Sequence, residues 1–344
     1  MKPLFSNKKI VILGGTGSIG SHILKSLIPL KPRLIRIFSR DEYKQHKLRY
    51  QYMDSKNIDY MLGDVRDIDS LLNSTESFDI IFHCAALKHV SISEEMPEAF
   101  IKTNIIGSLN VKKAAIQNRI PLTVSISTDK AVDPTNVMGL TKSIQEKIFS
   151  SHFLKEKIPG IKFVTVRFGN VIGTTGSLFP ILYHQIINKK PITITHPEMT
   201  RFYMSPKEAI DLIFWATLHG KDGDIIIKKM KSARIITILK QFLEVMGVKK
   251  SWPIKYIGVR VGEKIHESLV TEDNLYRIRE ERGYYIVIPY TPIDIIADKM
   301  RLKNKKLNRL KFSSNFKENF LTKNEIVRYI KQFLSTAYLD RQAI

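Results

Sequence analysis

Along the first half of the chain, short apolar runs alternate with longer stretches in which apolar residues return every three or four positions. The runs at 9–13, 34–38, 58–62, 79–83, 122–127 and 162–168, rich in Ile, Val, Leu and Phe, predict strands. The intervening 18–28, 41–53, 67–73, 97–118 and 137–155 predict helices. This is the βαβ rhythm, and right-handed crossovers wind it into an α/β doubly wound parallel sheet. After residue 169 the rhythm loosens. Segments rich in Gly, Pro and Thr (169–176 and 191–199) alternate with helical patterns at 178–188, 206–218 and 233–246. The expected organisation is a nucleotide-binding domain over 1–169, to which 206–232 returns. A smaller C-terminal substrate lobe is expected from 170–205 and 233–290, then a C-terminal extension over 291–344, helical near 322–335.

The first run, Lys9-Ile10-Val11-Ile12-Leu13, passes directly into Gly14-Gly15-Thr16-Gly17-Ser18-Ile19-Gly20 and then into helical Ser21-His22-Ile23-Leu24. Glycines at 14, 17 and 20 permit a tight turn, close approach of backbone N–H groups to a pyrophosphate, and close packing of helix on strand. With a strand before and a helix after, the motif predicts a dinucleotide site on a Rossmann-like domain. An acid at the end of the second strand favours a free ribose 2′-hydroxyl, whereas an arginine favours a 2′-phosphate. Here the strand ends Ile37-Phe38-Ser39-Arg40-Asp41-Glu42, with Lys44 following. Ser39, Arg40 and Lys44 favour NADP, while Asp41 leaves NAD open. In Gly63-Asp64-Val65-Arg66-Asp67, Asp64 stands where it could accept from an adenine amino group, and Asp67 reads as a helix cap.

Charge adds a rival. The 55 Lys+Arg against 33 Asp+Glu give +22, which raises nucleic acid or an acidic membrane surface as partner. The basic residues are spread along the chain, however, and a site for two pyrophosphates also uses positive charge. No nucleic-acid partner is therefore expected. The 344 residues, 43% hydrophobic, suffice for a sizeable core. The single cysteine, Cys84, lies in the apolar run from Ile80 to Ala86 and reads as a buried structural thiol. No stretch approaches the roughly 18 apolar residues of a membrane span, and no leader pattern is seen, so the cytoplasm is the expected location. No metal site is expected.

Further segments complete an ordered set: Ala85-Ala86-Leu87-Lys88-His89-Val90, Lys102-Thr103-Asn104-Ile105, Ser127-Thr128-Asp129-Lys130-Ala131, Arg167-Phe168-Gly169-Asn170-Val171, Met199-Thr200-Arg201-Phe202 and Arg260-Val261-Gly262-Glu263-Lys264. Together with the motifs above, they resemble the extended short-chain dehydrogenase/reductase family. Within it they resemble the bacterial UDP-N-acetylglucosamine 4,6-dehydratases of surface-polysaccharide biosynthesis. The resemblance covers about residues 1–270 and fades beyond 290. It implies an NADP-carrying lyase that oxidises the sugar at C4, eliminates water across C5 and C6, and returns the hydride to C6. Cofactor contacts are implied at Gly14, Thr16, Gly17, Ser18, Ile19, Gly20, Ser39, Arg40, Lys44, Asp64, Val65, Ala85, Lys88, Asn104 and Lys142. Substrate contacts are implied at Lys88, Asn170, Thr195, Met199, Arg201, Arg260 and Glu263. Assembly as a homo-oligomer, a dimer or hexamer, is also implied.

Thr128, Asp129 and Lys130 fall at the carboxyl end of a central strand, the edge at which open α/β sheets bind ligands. By resemblance, Asp129 is the acid at C6 and Lys130 the base at C5, with Thr128 hydrogen-bonding around the C4 oxygen. Lys130 must then spend time neutral, and desolvation beside the nicotinamide is expected to depress it. There is one departure from the family pattern. These dehydrogenases usually carry Tyr-x-x-x-Lys, and this chain has Met138-Gly139-Leu140-Thr141-Lys142. Methionine transfers no proton, although some members of the dehydratase subgroup resemble this chain in carrying it. Lys142, one turn on along the same helix face, remains able to hold the nicotinamide ribose. The base at C4 stays open between Asp129, Lys130 and a water on Thr128. A sugar-nucleotide epimerase of the same fold and a non-catalytic NADP-binding protein remain as alternatives. The segment from Pro134 to Gly139 leans toward retention at C5.

Overall fold

Ile10, Val11, Ile12 and Leu13 of β1 (Lys9–Leu13) are fully buried, so both faces of the sheet must be covered. The computed structural model describes residues 2–151, 159–248, 251–289 and 309–342. Around β1, after the short α1 (Lys2–Phe5), it places α2 (Ser18–Leu27), β2 (Leu34–Ser39), α3 (Glu42–Gln51), β3 (Ile58–Leu62), α4 (Ile68–Thr75) and β4 (Ile80–His83). There follow α5 (Val90–Glu95), α6 (Pro97–Phe100), α7 (Gly107–Gln117), β5 (Leu122–Thr128), α8 (Val137–Ser150) and β6 (Lys162–Phe168). The later elements are β7 (Asn170–Val171), α9 (Leu178–Ile187), β8 (Ile192–Ile194), β9 (Thr200–Met204), α10 (Pro206–His219), β10 (Ile225–Lys228) and β11 (Lys231–Arg234). Last come α11 (Ile235–Val245), β12 (Ile254–Tyr256), α12 (Glu272–Leu275), β13 (Ile278–Glu281), β14 (Tyr284–Val287) and α13 (Lys323–Gln342).

Among the described residues the large sheet has nine strands in the order β13-β14-β10-β6-β5-β4-β1-β2-β3. The run from β3 to β10 is parallel, and β14 and β13 add antiparallel at its edge. This is the Rossmann-like fold that the apolar spacing predicts. The chain order reverses between β1 and β4, and the carboxyl ends of those strands splay into the crevice where such sheets bind ligands.

Three features depart from the periodicity. The helix expected over 97–118 is interrupted at Ile101–Ile106 by a wider i→i+5 turn, the kind of bulge that re-aims side chains at functional places. Residues 278–287, expected in the substrate lobe, form the β13–β14 hairpin and lengthen the large sheet instead. Its turn, at Arg282 (φ 49°) and Gly283 (φ 86°), is the left-handed pair that a two-residue hairpin needs. The extension past 291 does not stand apart either. Ile326, Tyr329, Ile330, Phe333 and Leu334 of α13 enter a second core with α9 and α11, where Phe179, Phe242 and Phe333 meet edge-on or tilted at 5.8–6.2 Å. The tail of the helix expected to reach 155 (152–155), and 291–308 of the expected extension, lie outside the described residues.

The two cores are tied at Glu208 in the first turn of α10. Its carboxylate completes a capping box with Ser205, accepts from Lys228 Nζ at 3.0 Å and from Tyr329 Oη at 2.8 Å. Burial would raise this carboxyl, but the hydrogen bonds from Ser205, Lys228 and Tyr329 override it and hold it at about 2. A folded pKa below the unfolded one contributes stability that is present above the unfolded value and lost as pH falls toward about 2. Glu208→Gln is therefore expected to cost about 1–2 kcal/mol near neutrality. The deficit should shrink between about pH 5 and about pH 3, because the wild type loses the same interaction there. Melting temperatures of both proteins across that range test this, and a deficit that does not change with pH would refute it.

Candidate active site at the carboxyl edge of the sheet

The glycine turn after β1 is closed by its surroundings. Gly14 has φ +79°, and a Cβ there would lie 2.7 Å from Ala85 N, while one on Gly20 would lie 2.5 Å from Gly14 O. Only bare backbone lets β1, α2 and the segment after β4 meet this closely. The helix α2 starts at Gly17 with no side-chain cap, so its first N–H groups are available to an anion. A cradle that a single Cβ would fill fits a dinucleotide pyrophosphate. The loop after β7 crosses to this point. Thr175 N lies 3.2 Å from Ser18 Oγ, and Lys88 Nζ donates to Thr175 O at 2.6 Å. Sequence reasoning gave Ser18 and Lys88 but missed Thr175, which joins them.

At the end of β2, Asp41 caps α3 by accepting from Lys44 N and pairs with Lys44 Nζ at 2.7 Å. The acid that left NAD open, and the lysine expected to help at a 2′-phosphate, thus engage each other. Ser39 is buried, with its hydroxyl accepting from Gln45 Nε2 at 3.1 Å. Arg40 stays exposed and lies 3.9 Å from Asp64. Asp64 is held by the Arg66 guanidinium at 2.6–3.0 Å; burial would raise it, but Arg66 and Arg40 keep it below the usual carboxylate range. Asp67 caps α4 as expected. Asn104 and Val65, two further expected cofactor contacts, also meet other parts of the protein. Asn104, in the wide turn, is fully buried and bonds Leu87 N, Leu87 O and Thr141 Oγ1 at 2.9–3.0 Å, so it holds the segment after β4 onto α8 rather than facing a ligand. The Val65 side chain packs in the core, against Gly107.

The acid–base group is assembled where β5 ends. Asp129 is fully buried; its Oδ1 accepts from Thr128 Oγ1 at 3.0 Å and Lys130 Nζ at 2.9 Å, and its Oδ2 has no partner. Lys130 Nζ also lies 3.6 Å from Oε1 of Glu267, a buried carboxylate that the sequence analysis did not single out. Glu267 in turn faces Arg201 Nε at 4.0 Å and Lys264 Nζ at 3.3 Å. The one signal it gave was a second acid close after Glu263 in a conspicuous motif. Burial would depress Lys130, but Asp129 and Glu267 outweigh it against the opposition of Arg201, and the ammonium is held above the usual lysine range. Among the protein's own groups, then, the two carboxylates favour the protonated form of Lys130.

Met138 is buried, and its backbone N–H donates to Ser93 Oγ at 3.2 Å. The tyrosine position therefore carries no proton-transferring group. Lys142 Nζ donates to Ile126 O and Gln145 Oε1, each at 2.5 Å, and burial pulls it down to about 8, with Glu146 opposing. Burial pushes the Cys84 thiol up to about 12, in keeping with an inert thiol. Beyond β12, Gly262 O accepts from Thr135 Oγ1 and Asn136 Nδ2 at 2.8–2.9 Å, and Lys264 Nζ donates to Val132 O at 2.7 Å. These bonds dock the 260–267 segment beside Asp129 and Lys130. Arg260 and Glu263 sit on its outer part, 3.9 Å apart. Asn170, half-buried in β7, pairs with Tyr203 of β9. Met199, expected at the substrate, is instead in the second core, where its sulfur accepts from Thr195 Oγ1 at 3.1 Å.

Residues 10–289 match the family described as polysaccharide biosynthesis protein. A protein named UDP-glucose 4-epimerase from Rickettsia prowazekii is 41% identical over 287 residues, 82% of this chain and 83% of its own length. One named uncharacterized membrane protein, from Methanocaldococcus jannaschii, is 38% identical over 95% of this chain and 96% of its own. No helix among the described residues here is long and apolar enough to cross a membrane. Of solved structures, that of Pen from Bacillus thuringiensis superposes with a TM-score of 0.86 at 33% identity, covering 96% of this chain and 98% of that one. The dTDP-glucose 4,6-dehydratase DesIV of Streptomyces venezuelae, with NAD and TYD bound, superposes at 0.70 over 86% of this chain and 97% of its own; at 17% identity it shares the fold alone.

Proposed function

The chain belongs to the polysaccharide biosynthesis protein family, a sugar-nucleotide dehydratase and epimerase group of extended short-chain dehydrogenases, and on that premise we propose that it is an NADP-dependent UDP-N-acetylglucosamine 4,6-dehydratase. The observation that carries this reading is the Asp129–Lys130 pair, 2.9 Å apart at the end of β5, beside a buried methionine where a phenol would stand. Elimination across C5 and C6 needs an acid and a base side by side, which C4 epimerisation does not. The exposed Arg40, with Asp41 engaged by the helix it caps, supports a 2′-phosphate and hence NADP over NAD.

The bound nicotinamide would accept hydride from C4 and return it to C6. The glycine turn and the first turn of α2 would hold its pyrophosphate, and Lys142 its ribose. Asp129, as carboxylate, accepts the proton of the C4 hydroxyl and passes it to the departing C6 hydroxyl. Lys130, once neutral, takes the C5 proton and returns it to the same face, which supports retention at C5. Arg201, Arg260 and Asn170 line the approach for the UDP moiety. Ile92, Met96, Leu140 and Ile144, exposed on and just after α5 and on α8, support self-association into a homo-oligomer. Soluble sugar nucleotides as substrate make the cytoplasm its proposed location.

Incubating the protein with UDP-N-acetylglucosamine in deuterated water should give a UDP-4-keto-6-deoxy sugar labelled at C5, with no net reduction of cofactor, and the nucleotide released on denaturation should be NADP. The names of the 41% identical relatives favour a second reading, C4 epimerisation. A C4 epimer that has lost no water would establish that reading and overturn the first.

A further inference from the structure

Lys130 can act on C5 only after losing a proton, and its neighbours hold it as a cation. The group facing it besides Asp129 is Glu267, whose Oε1 lies 3.6 Å from Lys130 Nζ. Three observations single this carboxylate out. It is almost wholly buried, so water does not take its place. No donor is aligned on its Oε2, since Lys264 Nζ, though 3.3 Å away, donates to Val132 O and Asp133 O. Finally, its backbone is fixed from both sides: Glu267 N donates to Ser314 Oγ at 2.9 Å and Ser314 N donates to Glu267 O at 2.8 Å, bringing the segment before α13 under the site. A buried carboxylate oxygen without a hydrogen-bond donor is costly unless its function needs it open.

We propose that Glu267 is the proton acceptor for Lys130: a positioning residue that takes one ammonium proton when Asp129 is neutralised and returns it at the end of turnover. The proposal rests on the dehydratase reading. Its protons balance within that reaction. When Asp129 accepts the C4 hydroxyl proton, Lys130 loses one of its two anions, and an N–H bond of Lys130 breaks as an O–H bond forms on Glu267. The neutral amine takes the C5 proton and gives it back to C5, and the C4 proton leaves with the C6 oxygen as water. Glu267 then reprotonates Lys130. The charged and titratable groups around Glu267 are Asp129 and Lys130 after β5, Arg201 on β9, and Lys264 and His266 on its own segment.

The test compares Glu267→Gln and Glu267→Asp with the wild type, using UDP-N-acetylglucosamine, over about pH 7 to 9. Cofactor content and melting temperature report folding. For Glu267→Gln, kcat and C5 exchange should fall about 100-fold at pH 7 with KM within about 3-fold. The deficit should narrow as pH rises, because solvent base then removes the Lys130 proton. Glu267→Asp, whose carboxylate stands one methylene further from Lys130, should keep about a tenth of the wild-type kcat, with the same narrowing of the deficit as pH rises. A Glu267→Gln protein with near-wild-type kcat, or with a loss that does not vary with pH, overturns the proposal. If the glutamine variant does not fold, the aspartate variant decides: a pH-dependent fall in kcat at unchanged KM supports the relay, and a wild-type or pH-independent profile overturns it. Absence of dehydration by the wild type would instead refute the dehydratase reading, so the two failures are distinct.

Discussion

Asp129→Asn is expected to lower turnover of UDP-N-acetylglucosamine roughly a thousand-fold, within the span of a lost general acid, while leaving the cofactor bound and the fold intact. Asparagine keeps the shape and can still accept from Thr128 Oγ1 and Lys130 Nζ, now at 3.0 and 2.9 Å from Oδ1. What it cannot do is receive a proton from one substrate oxygen and deliver it to another. The partnerless Oδ2, in contact range of any side chain placed on Gly169, is the atom available for that exchange. The loss should lie in kcat, since a group that acts on protons in flight contributes little to holding the ground state. Lys130→Met should abolish C5 exchange as well, whereas Met138→Leu should retain most activity because neither side chain carries a proton. An asparagine variant within about ten-fold of the wild type would remove Asp129 from the proton transfers and leave the base at C4 between Lys130 and a water on Thr128.

The largest stability loss is expected from Arg167→Met. Behind β5, Arg167 grips Glu146 with two parallel bonds, Nε to Oε1 at 2.9 Å and Nη2 to Oε2 at 2.6 Å, and both side chains are about 95% or more buried. Ser127 Oγ adds a bond to Glu146 at 2.6 Å, and Arg167 Nη1 reaches Leu269 O at 2.8 Å, so β5, β6, α8 and the segment ahead of α12 meet at one ion pair. Removing the guanidinium strands a carboxylate in the interior, which costs about 3–5 kcal/mol. Removing both charges, as in Arg167→Met with Glu146→Leu, should recover much of that loss, because no charge is then left without its partner. Urea unfolding of the single and double variants measures the difference. A single variant destabilised by less than about 1 kcal/mol would mean that water reaches the pair. Since Ser127 adjoins Thr128, the single variant should also lose activity through the altered end of β5.

The sequence by itself determined what local physics decides. Side chains of a doubly covered strand are apolar whatever lies beyond them, so the central strands β1 and β4 were legible as short apolar runs. The glycine turn was legible because positive φ at Gly14 and contact with Ala85 exclude any Cβ. Asp67 could be read as a cap because a cap bonds its own next turn. Thr128, Asp129 and Lys130 could be placed together because they are consecutive at a strand end. The β13–β14 hairpin was missed because its strands are short and the one place they fit, beside β10, is set by chain folding far away. Asn104 and Met199 lie within recognisable motifs, yet the first is a clamp between two segments and the second is core, since burial decides which atoms meet a ligand. Glu267 became visible only in three dimensions. A glutamate next to a histidine in a loop is usually a solvated acid. Only the packing of that loop against the ends of β5 and β9 removes the water and surrounds the carboxylate with Lys130, Arg201 and Lys264, and it is that desolvation that gives the charge its hold on the chemistry.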